Sequence, residues 1–228
     1  ALCLGGGLFF NTYFTTLVRA SGLFDHVSVP INPGNAGLAV GAALLVGRDG
    51  RTKGAMPDVS PFLGPAYSDE DVKQTLDSCK LSYAYVSESE AVDAAVDAVR
   101  HGQLVGWFQG QMEWGHRALG HRSILADPAS PYVLENLNTF LRKRERWRSF
   151  GVSVCEETAP EIFCGPTRSS HMEYECAPRD DRMRHIVPEG AISIRVQTVG
   201  RTDPLFWRLH QQMAAAGGTG VLGNTPVN

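Results

Sequence analysis

The sequence lacks the patterns that identify several classes of protein. Its 228 residues include five cysteines, an odd number with no Cys-x-x-Cys pair, which argues against a zinc module or a disulfide scaffold and for a reducing cytoplasm. No apolar run reaches the roughly 18 residues that a membrane span needs, and no signal peptide is recognisable. The net charge of −3 does not favour nucleic acid or an anionic membrane as a partner. We therefore expect a cytoplasmic protein that binds neither.

Both ends of the chain resemble core strands. The chain starts at Ala1, without an initiator Met, in an apolar run over residues 1–4, and it ends shortly after another such run at 220–222. Core strands rarely form both ends of a complete domain, so we expect a piece of a longer polypeptide.

Strand-like and helix-like patterns alternate along the chain, which indicates an α/β or α+β fold. We expect strands at residues 1–4, 26–29, 82–86, 103–108, 172–176, 191–196 and 220–222. We expect helices at 8–19, at 36–46, from Ser68, from Ser87, at 131–141 and at 204–216. The helix after Ser68 has a capping-box pair with Asp71. The Gly- and Pro-rich stretch at about 48–67 is typical of a linker.

Gly5, Gly6 and Gly7 lie between the first expected strand and the first expected helix. A strand, a glycine turn and a helix form a common phosphate cradle, because amides at a helix N-terminus point at the anion. A simple strand-to-helix turn remains the alternative.

A second glycine-rich stretch, residues 106–128, contains Arg117 and Arg122. Glycine lets a backbone approach a ligand closely, and a guanidinium offers a fork of donors that fits phosphate and carboxylate. The pattern predicts an anion-binding loop at the edge of a sheet, and a surface loop with solvated arginines is the alternative. Glu113 could orient one of these arginines.

Further cations follow in the sequence. Five of them lie within seven residues: Arg142, Lys143, Arg144, Arg146 and Arg148. Arg195 lies inside an otherwise apolar expected strand, where an arginine needs an anionic partner. That partner is either a bound anion or an acidic side chain of the protein.

The segment GQMEWGHRALGHRSILADP, residues 110–128, resembles the central motif of the O-carbamoyltransferases of antibiotic and nodulation-factor biosynthesis. The similarity covers almost the whole chain and includes LCLGGG at 2–7 and GNAG at 34–37. It implies the C-terminal part of an actin/hexokinase-like carbamoyl-transfer domain at 1–55 and a YrdC-like domain at 56–218. Residues 219–228 would begin a segment that returns to the first domain.

The resemblance also implies a reaction. The YrdC-like domain would bind ATP, with Mg²⁺, and carbamoyl phosphate, and would form a carbamoyl adenylate. The carbamoyl group would then pass to the hydroxyl of a small-molecule acceptor, a secondary metabolite. The expected catalytic residues are Arg117, Lys143, Arg144 and Arg195. The expected ligand-binding residues are Gly5, Gly6, Gly7, Arg122, Arg142, Arg148 and Asn224.

Two positions depart from the family pattern. Asn35 occupies the position of an acidic residue that helps to hold a metal ion, usually Fe²⁺, so we expect the metal site to lie mostly outside this chain. Pro226 replaces a serine of the closing NTSFN-like motif.

Three alternatives stay open at this point. The chain could come from a tRNA threonylcarbamoylation factor or from a hydrogenase-maturation carbamoyltransferase, which share these fold elements. It could also be a nucleotide-binding module without catalysis. A homodimer is a further alternative to a monomer.

Overall fold

A computed structural model describes residues 1–48, 59–179 and 181–227. The predicted domain boundary between residues 55 and 56, and part of the predicted linker, lie outside the described residues.

The first segment, residues 1–48, forms a small parallel strand pair with two helices. β1 (Leu2–Cys3) pairs with β2 (Val27–Ser28). α1 (Thr12–Ala20) lies between them, and α2 (Asn35–Arg48) follows. The first helix was predicted from residue 8, but Gly7–Phe10 form a 3-10 turn instead. α1 begins only after Asn11, whose side chain accepts a hydrogen bond from the backbone N–H of Tyr13.

The second region, residues 59–227, carries a seven-stranded sheet in the order β3-β4-β9-β5-β8-β7-β6. Its strands are β3 (Val105–Phe108), β4 (Arg122–Ala126), β5 (Gly151–Cys155), β6 (Phe163–Cys164), β7 (Glu175–Pro178), β8 (Ile194–Val199) and β9 (Leu222–Pro226). β5 and β8 are parallel neighbours, and the other pairings are antiparallel. The mixed sheet confirms the α/β class.

The helices of this region are α3 (Asp69–Ser78), α4 (Glu88–Arg100), α5 (Ala159–Ile162) and α6 (Pro204–Ala215). A π-helix spans Glu135–Leu141, and a 3-10 turn spans Asp181–Met183. Complete capping boxes start α3 and α4, at Ser68 with Asp71 and at Ser87 with Glu90. The predicted starts of both helices are therefore confirmed.

β9 lies in the middle of the sheet, between β4 and β5. Its residues pair with β4 from Gly223 to Pro226 and with β5 from Leu222 to Asn224. Residues 222–226 thus lie in the sheet of the second region, and the return of residues 219–228 to the first domain stays a prediction.

One local prediction is wrong, and a second is confirmed only in part. Residues 82–86 form no strand, because Tyr83 and Tyr85 turn back and donate hydrogen bonds to Asp77 and Asp69 of α3. The helix predicted over 131–141 is a π-helix through most of its length.

Core clusters cover both faces of the sheet. On one face α4 and α6 pack together, and each of these helices buries a stripe of apolar side chains. These stripes consist of Val92, Ala95, Val96 and Val99 on α4 and of Phe206, Leu209 and Met213 on α6. The other face contributes Val152 and Val154 of β5 and Val196 of β8, with Leu137 from the π-helix. Alternation along each strand divides the side chains between the two faces.

Across the described ranges, 1–48, 59–179 and 181–227, none of the helices has the length and apolar character required to cross a membrane.

Candidate active site

Four arginines from three parts of the chain line one pocket of about 280 Å³. They are Arg117, Arg142, Arg144 and Arg195. The rest of the lining consists of His116, Ala118, Phe150, Gly151, Met172, Asn224, Thr225 and Pro226. No Asp or Glu is among these lining residues. The pocket is therefore strongly positive.

The sheet register sets the floor of the pocket. Gly151 of β5 lies opposite Arg195 of β8 on one side and opposite Asn224 of β9 on the other. A Cβ at Gly151 would lie only 2.5 Å from the Sδ of Met172. Glycine at this position therefore lets Met172 and the pocket occupy the space between the arginine and the asparagine.

A buried carboxylate shapes the loop that carries Arg117. Glu113 Oε1 accepts hydrogen bonds from the backbone N–H groups of Leu119, His121 and Arg122, at 2.7, 2.8 and 3.0 Å. Bonds to a charged acceptor are stronger than neutral ones. Glu113 thus holds backbone amides, and the expectation that it orients an arginine is wrong.

Gly120 is required within this loop. Its φ is +100°, which L side chains rarely adopt, and a Cβ there would overlap the ring of Phe206. Close packing of the loop on α6 therefore fixes its path.

Arg117 connects the loop to the first segment. Its Nη2 donates a hydrogen bond to the carbonyl oxygen of Phe10 at 2.5 Å. Burial lowers the pKa of the Arg117 guanidinium, and the negative charge of Glu175 partly opposes this shift.

Arg195 has no acidic partner within ion-pairing distance in the part of the chain that the structure describes. Its terminal nitrogens donate to the Oγ and carbonyl oxygen of Ser149, at 3.3 and 3.2 Å. Its Nε is buried and has no hydrogen-bond partner among the described residues. Burial, with a smaller contribution from the positive charge of Arg117, lowers the pKa of Arg195 to about 10. The alternative of an ordinary ion pair is therefore wrong.

Arg144 and Arg142 approach the pocket from the loop before β5. Arg144 Nε donates to Asn138 Oδ1 at 2.6 Å, and its guanidinium lies 4.4 Å from the ring centroid of Phe150. Arg142 Nη2 donates to the hydroxyl of Thr225 at 3.3 Å. Burial is the main cause that lowers the pKa of Arg144, followed by the charges of neighbouring arginines. An anion in the pocket would relieve this repulsion.

Asn138, which the sequence analysis missed, organises this loop. It is fully buried, and its Nδ2 donates to the carbonyl oxygens of Arg146 and Arg148. The expected helix contains two asparagines, Asn136 and Asn138, and the sequence alone does not show which of them is buried or which backbone groups it contacts.

Three predicted cations do not line the pocket. Lys143 is exposed, with a φ of +49°. Arg148 is half-exposed and forms an ion pair with Glu145 at 2.9 Å. Arg122 is partly buried on β4, and its side chain is not part of the lining.

The glycine run and Asn35 lie in the first segment. The N–H of Gly6 donates to the carbonyl of Pro33 at 2.7 Å, and the run enters a 3-10 turn rather than the N-terminus of α1. The geometry of the predicted phosphate cradle is therefore absent from these described residues. Asn35, at the start of α2, is exposed, and the described residues include no group of three His, Cys, Asp or Glu side chains able to hold a metal ion. They do not fit an iron site.

Comparisons with known proteins point to one family. The family model "Carbamoyltransferase C-terminus" matches residues 96–228, which include all four pocket arginines. The nodulation protein NolO of Bradyrhizobium diazoefficiens is 33% identical over the whole chain, which spans 43% of that protein. The nodulation protein NolNO of Sinorhizobium fredii is 30% identical over the whole chain and 35% of its own length.

A nodulation protein U of Bradyrhizobium diazoefficiens is 33% identical over 89% of the chain and 34% of its own length. The chain thus spans less than half the length of these relatives. The match to the family model over more than half of the chain shows that the chain belongs to the carbamoyltransferase C-terminal family.

Proposed function

We propose that this chain is the part of an ATP-dependent O-carbamoyltransferase that activates carbamoyl phosphate. The observation that carries the proposal is the convergence of Arg117, Arg142, Arg144 and Arg195 on one pocket whose lining contains no carboxylate. The acceptor would be a hydroxyl of a small-molecule secondary metabolite.

Charge explains why such a pocket suits these substrates. Carbamoyl phosphate and ATP together bring several negative charges to one place, and guanidinium groups held in fixed positions stabilise them. The arginines destabilise one another without a ligand, because burial and mutual repulsion lower the pKa values of Arg144 and Arg195. A bound phosphoryl group reverses that effect and so gains binding free energy.

Formation of carbamoyl adenylate would consume carbamoyl phosphate, ATP and one molecule of water. Water releases inorganic phosphate from carbamoyl phosphate and leaves carbamate. A carbamate oxygen then attacks the α-phosphorus of ATP, pyrophosphate departs, and carbamoyl adenylate forms. An acceptor hydroxyl attacks the carbamoyl carbon, gives up its proton, and releases AMP.

The pocket residues would bind and neutralise the oxyanions in these steps. Arg195 and Arg117 approach from the sheet and the glycine loop, and Arg144 is held by Asn138 on the opposite loop. Mg²⁺ would accompany ATP and screen its phosphates.

A nucleotide-binding module without catalysis is the second candidate. Pro226 lines the pocket where the family motif has a serine, so a hydroxyl that could contact phosphate is missing there. This candidate predicts that nucleotide binds without turnover.

Isotope exchange between pyrophosphate and ATP tests the proposal. The exchange should require carbamoyl phosphate and should fall at least tenfold in Arg117→Ala, because a charge-assisted contact contributes roughly 1.5–3 kcal/mol. Arg100→Ala, at the exposed end of α4, is the matched control and should keep wild-type exchange. Binding of ATP without any exchange would favour the non-catalytic module, and binding of neither substrate by folded protein would contradict both candidates.

A further inference from the structure

A short strap, residues 60–65, is fastened by backbone hydrogen bonds to the glycine loop that precedes β4. The N–H of Trp114 donates to the carbonyl oxygen of Pro61 at 2.7 Å, and two further bonds of 3.0 Å join the strap to Met112. A Cβ at Gly64 would lie 2.8 Å from the carbonyl oxygen of Met112, so glycine is what lets the strap approach this closely.

The strap closes one side of a cavity of about 410 Å³. Ile31 of the first segment forms a second side, and the end of β8 with the turn to Asp203 forms a third. Among the described residues, none lines both this cavity and the arginine pocket. The position of the strap therefore controls access to a cavity that the proposed function does not use.

Phe62 of the strap stacks on the imidazole ring of His121. The two ring centroids are 3.6 Å apart, and the ring planes differ by 10°. The side chain of His121 is only 11% exposed, so the ring is nearly enclosed. His121 thus links the strap to the groups that contact its two ring nitrogens.

Both ring nitrogens of His121 face oxygen atoms. Nδ1 lies 2.6 Å from the carbonyl oxygen of Gln111, which can only accept a hydrogen bond. Nε2 lies 3.1 Å from Oδ2 of Asp203. A neutral imidazole has one N–H group and would leave a nitrogen lone pair facing one of these oxygens. The arrangement therefore fits a ring with a proton on both nitrogens.

Neighbouring hydrogen bonds fix Asp203 as an acceptor. The indole N–H of Trp107 can only donate, and it donates to Oε1 of Gln109 at 2.8 Å. Gln109 must then present its Nε2 to Asp203 Oδ1, to which it donates at 2.8 Å. Both oxygens of the carboxylate therefore accept, and His121 supplies the proton between its Nε2 and Oδ2.

The ionisable side chains around the ring and the adjoining cavity are Asp203, Glu113, Arg122, Glu156, Arg168, His171 and His210. Asp203 contacts the ring directly, and Glu113 accepts a hydrogen bond from the backbone N–H of His121 at 2.8 Å. Arg168 lies 3.8 Å from Glu156, which offsets its charge. The strap and residues 109–111 have no ionisable side chain. The charge in contact with the ring is therefore negative, and a second ring proton compensates it.

We infer that His121 is a proton-dependent latch for the strap. With both nitrogens protonated, the ring bonds to Gln111 and Asp203 together and presents a fixed face to Phe62. Loss of one proton to solvent leaves a lone pair against an oxygen, so the ring turns away from one partner and the strap is released. Histidine ordinarily changes charge between about pH 5 and 8. The strap is therefore held at the lower pH and opens the cavity as the pH rises.

Amide hydrogen exchange, followed by NMR on the whole chain at about pH 6 and about pH 8, measures the latch. The observed amides are those of the strap bonds, on Gly64, Met112 and Trp114. Each rate is compared with that of an unstructured peptide at the same pH, which removes the direct effect of pH on exchange. We expect their protection to fall at least about tenfold as the pH rises, because a charge-assisted bond is lost. Protection of the β5 amides should not change.

Asp203→Asn is the most informative variant because it has the same shape. It keeps an acceptor for Gln109 and offers an Nδ2 that donates to the unprotonated Nε2 of His121. The side chain of Asp203 caps no backbone group of α6, so the start of the helix is retained. We expect the strap to stay fastened at both pH values, with protection equal to within about twofold. A purely structural role of Asp203 would weaken the strap at both.

His101→Gln is the matched control, because His101 forms an exposed pair with Asp97. It should keep the wild-type pH response of the strap. Nitrogen-15 chemical shifts report the ring protons directly, and both nitrogens of His121 should be protonated while the strap is fastened.

Three results would overturn the inference: strap protection in the wild type that does not change with pH, a fastened strap beside a singly protonated His121, or a wild-type pH response in Asp203→Asn. These readouts require neither ATP nor carbamoyl phosphate, so they do not depend on the proposed function.

Discussion

The two regions of the molecule differ in how much apolar surface they bury. In residues 59–227, core clusters cover both faces of the sheet, and side chains such as Phe206 and Leu125 are completely buried. In residues 1–48, the core cluster consists of Leu4 and Val29 with Tyr174 from the second region. None of residues 35–47 of α2 is buried, although that helix is apolar on all sides.

Hydrogen bonds to a short stretch of the second region hold the first segment in place. Thr12 donates to Glu175, and Thr15 donates to the carbonyl of Glu173. The hydroxyl of Tyr174 donates to the carbonyl of Val27. The two regions together show that a helical sequence pattern is enough to form a helix such as α2. The stability of a region depends instead on how much apolar surface it buries and on its contacts with the rest of the molecule. The pocket belongs mainly to the well-packed region, and the first segment reaches it through Phe10 and Arg117.

Truncation of one apolar residue in each region should give the largest difference between the two regions in the change of unfolding free energy. Phe206→Ala should lower the free energy of unfolding by about 4 kcal/mol, because it leaves a cavity in a fully packed site. Leu38→Ala on α2, where the side chain is 71% exposed, should change it by less than about 0.5 kcal/mol. Urea unfolding measures both, and similar effects from the two variants would refute the contrast.

Low pH should destabilise the folded protein through His210, which lies in the second region. Burial lowers the pKa of His210 from 6.5 to about 4 in the folded state. As the pH falls, the unfolded state therefore takes up the proton at a higher pH than the folded state does. The free energy of unfolding should decrease by roughly 3 kcal/mol between about pH 6.5 and pH 4.

His210→Gln should remove this part of the pH dependence, as measured by urea unfolding across the pH range. His101→Gln, at an exposed position at the end of α4, should leave it unchanged. The same acid response in wild type and His210→Gln would show that His210 is not its source.

The smallest expected change in stability concerns the hydrogen bonds that join the two regions. Tyr174→Phe removes the hydrogen bond to Val27 and should weaken docking of residues 1–48 by about 1 kcal/mol. Hydrogen exchange should then quicken in that segment and not in the sheet. Tyr13→Phe, with its side chain 55% exposed, is the matched control. Faster exchange throughout the molecule would contradict local docking.

Sequence patterns predicted much of this architecture but only part of the site. Local sequence patterns, including the capping-box pair of Ser68 and Asp71, located α3, α4 and α6. Five predicted site residues line the pocket: Arg117, Arg142, Arg144, Arg195 and Asn224. Lys143 does not, although it lies between two arginines that do, since a positive φ turns its backbone and sequence adjacency does not determine which side chain points inward.

The rest of the site depends on contacts between distant parts of the chain. Gln197 links Leu119 to Asn224 by hydrogen bonds, and Glu113 holds backbone amides of its own loop. Neither role has a local sequence signal. The absence of a strand at residues 82–86 likewise follows from tyrosine contacts to α3 rather than from strand propensity.

The central claim is that the arginine pocket is built for an anion at the expense of stability, and Arg195→Met tests it most directly. Thermal unfolding should be followed with and without carbamoyl phosphate, with Arg100→Met as the control. Without ligand, Arg195→Met should be more stable than the wild type by about 1 kcal/mol, because it removes a buried cation whose desolvation and repulsion by Arg117 outweigh the attraction of Glu175. Carbamoyl phosphate should raise the melting temperature of the wild type and of the control but not of Arg195→Met. A variant that is less stable without ligand, yet stabilised by carbamoyl phosphate as much as the wild type, would contradict the account.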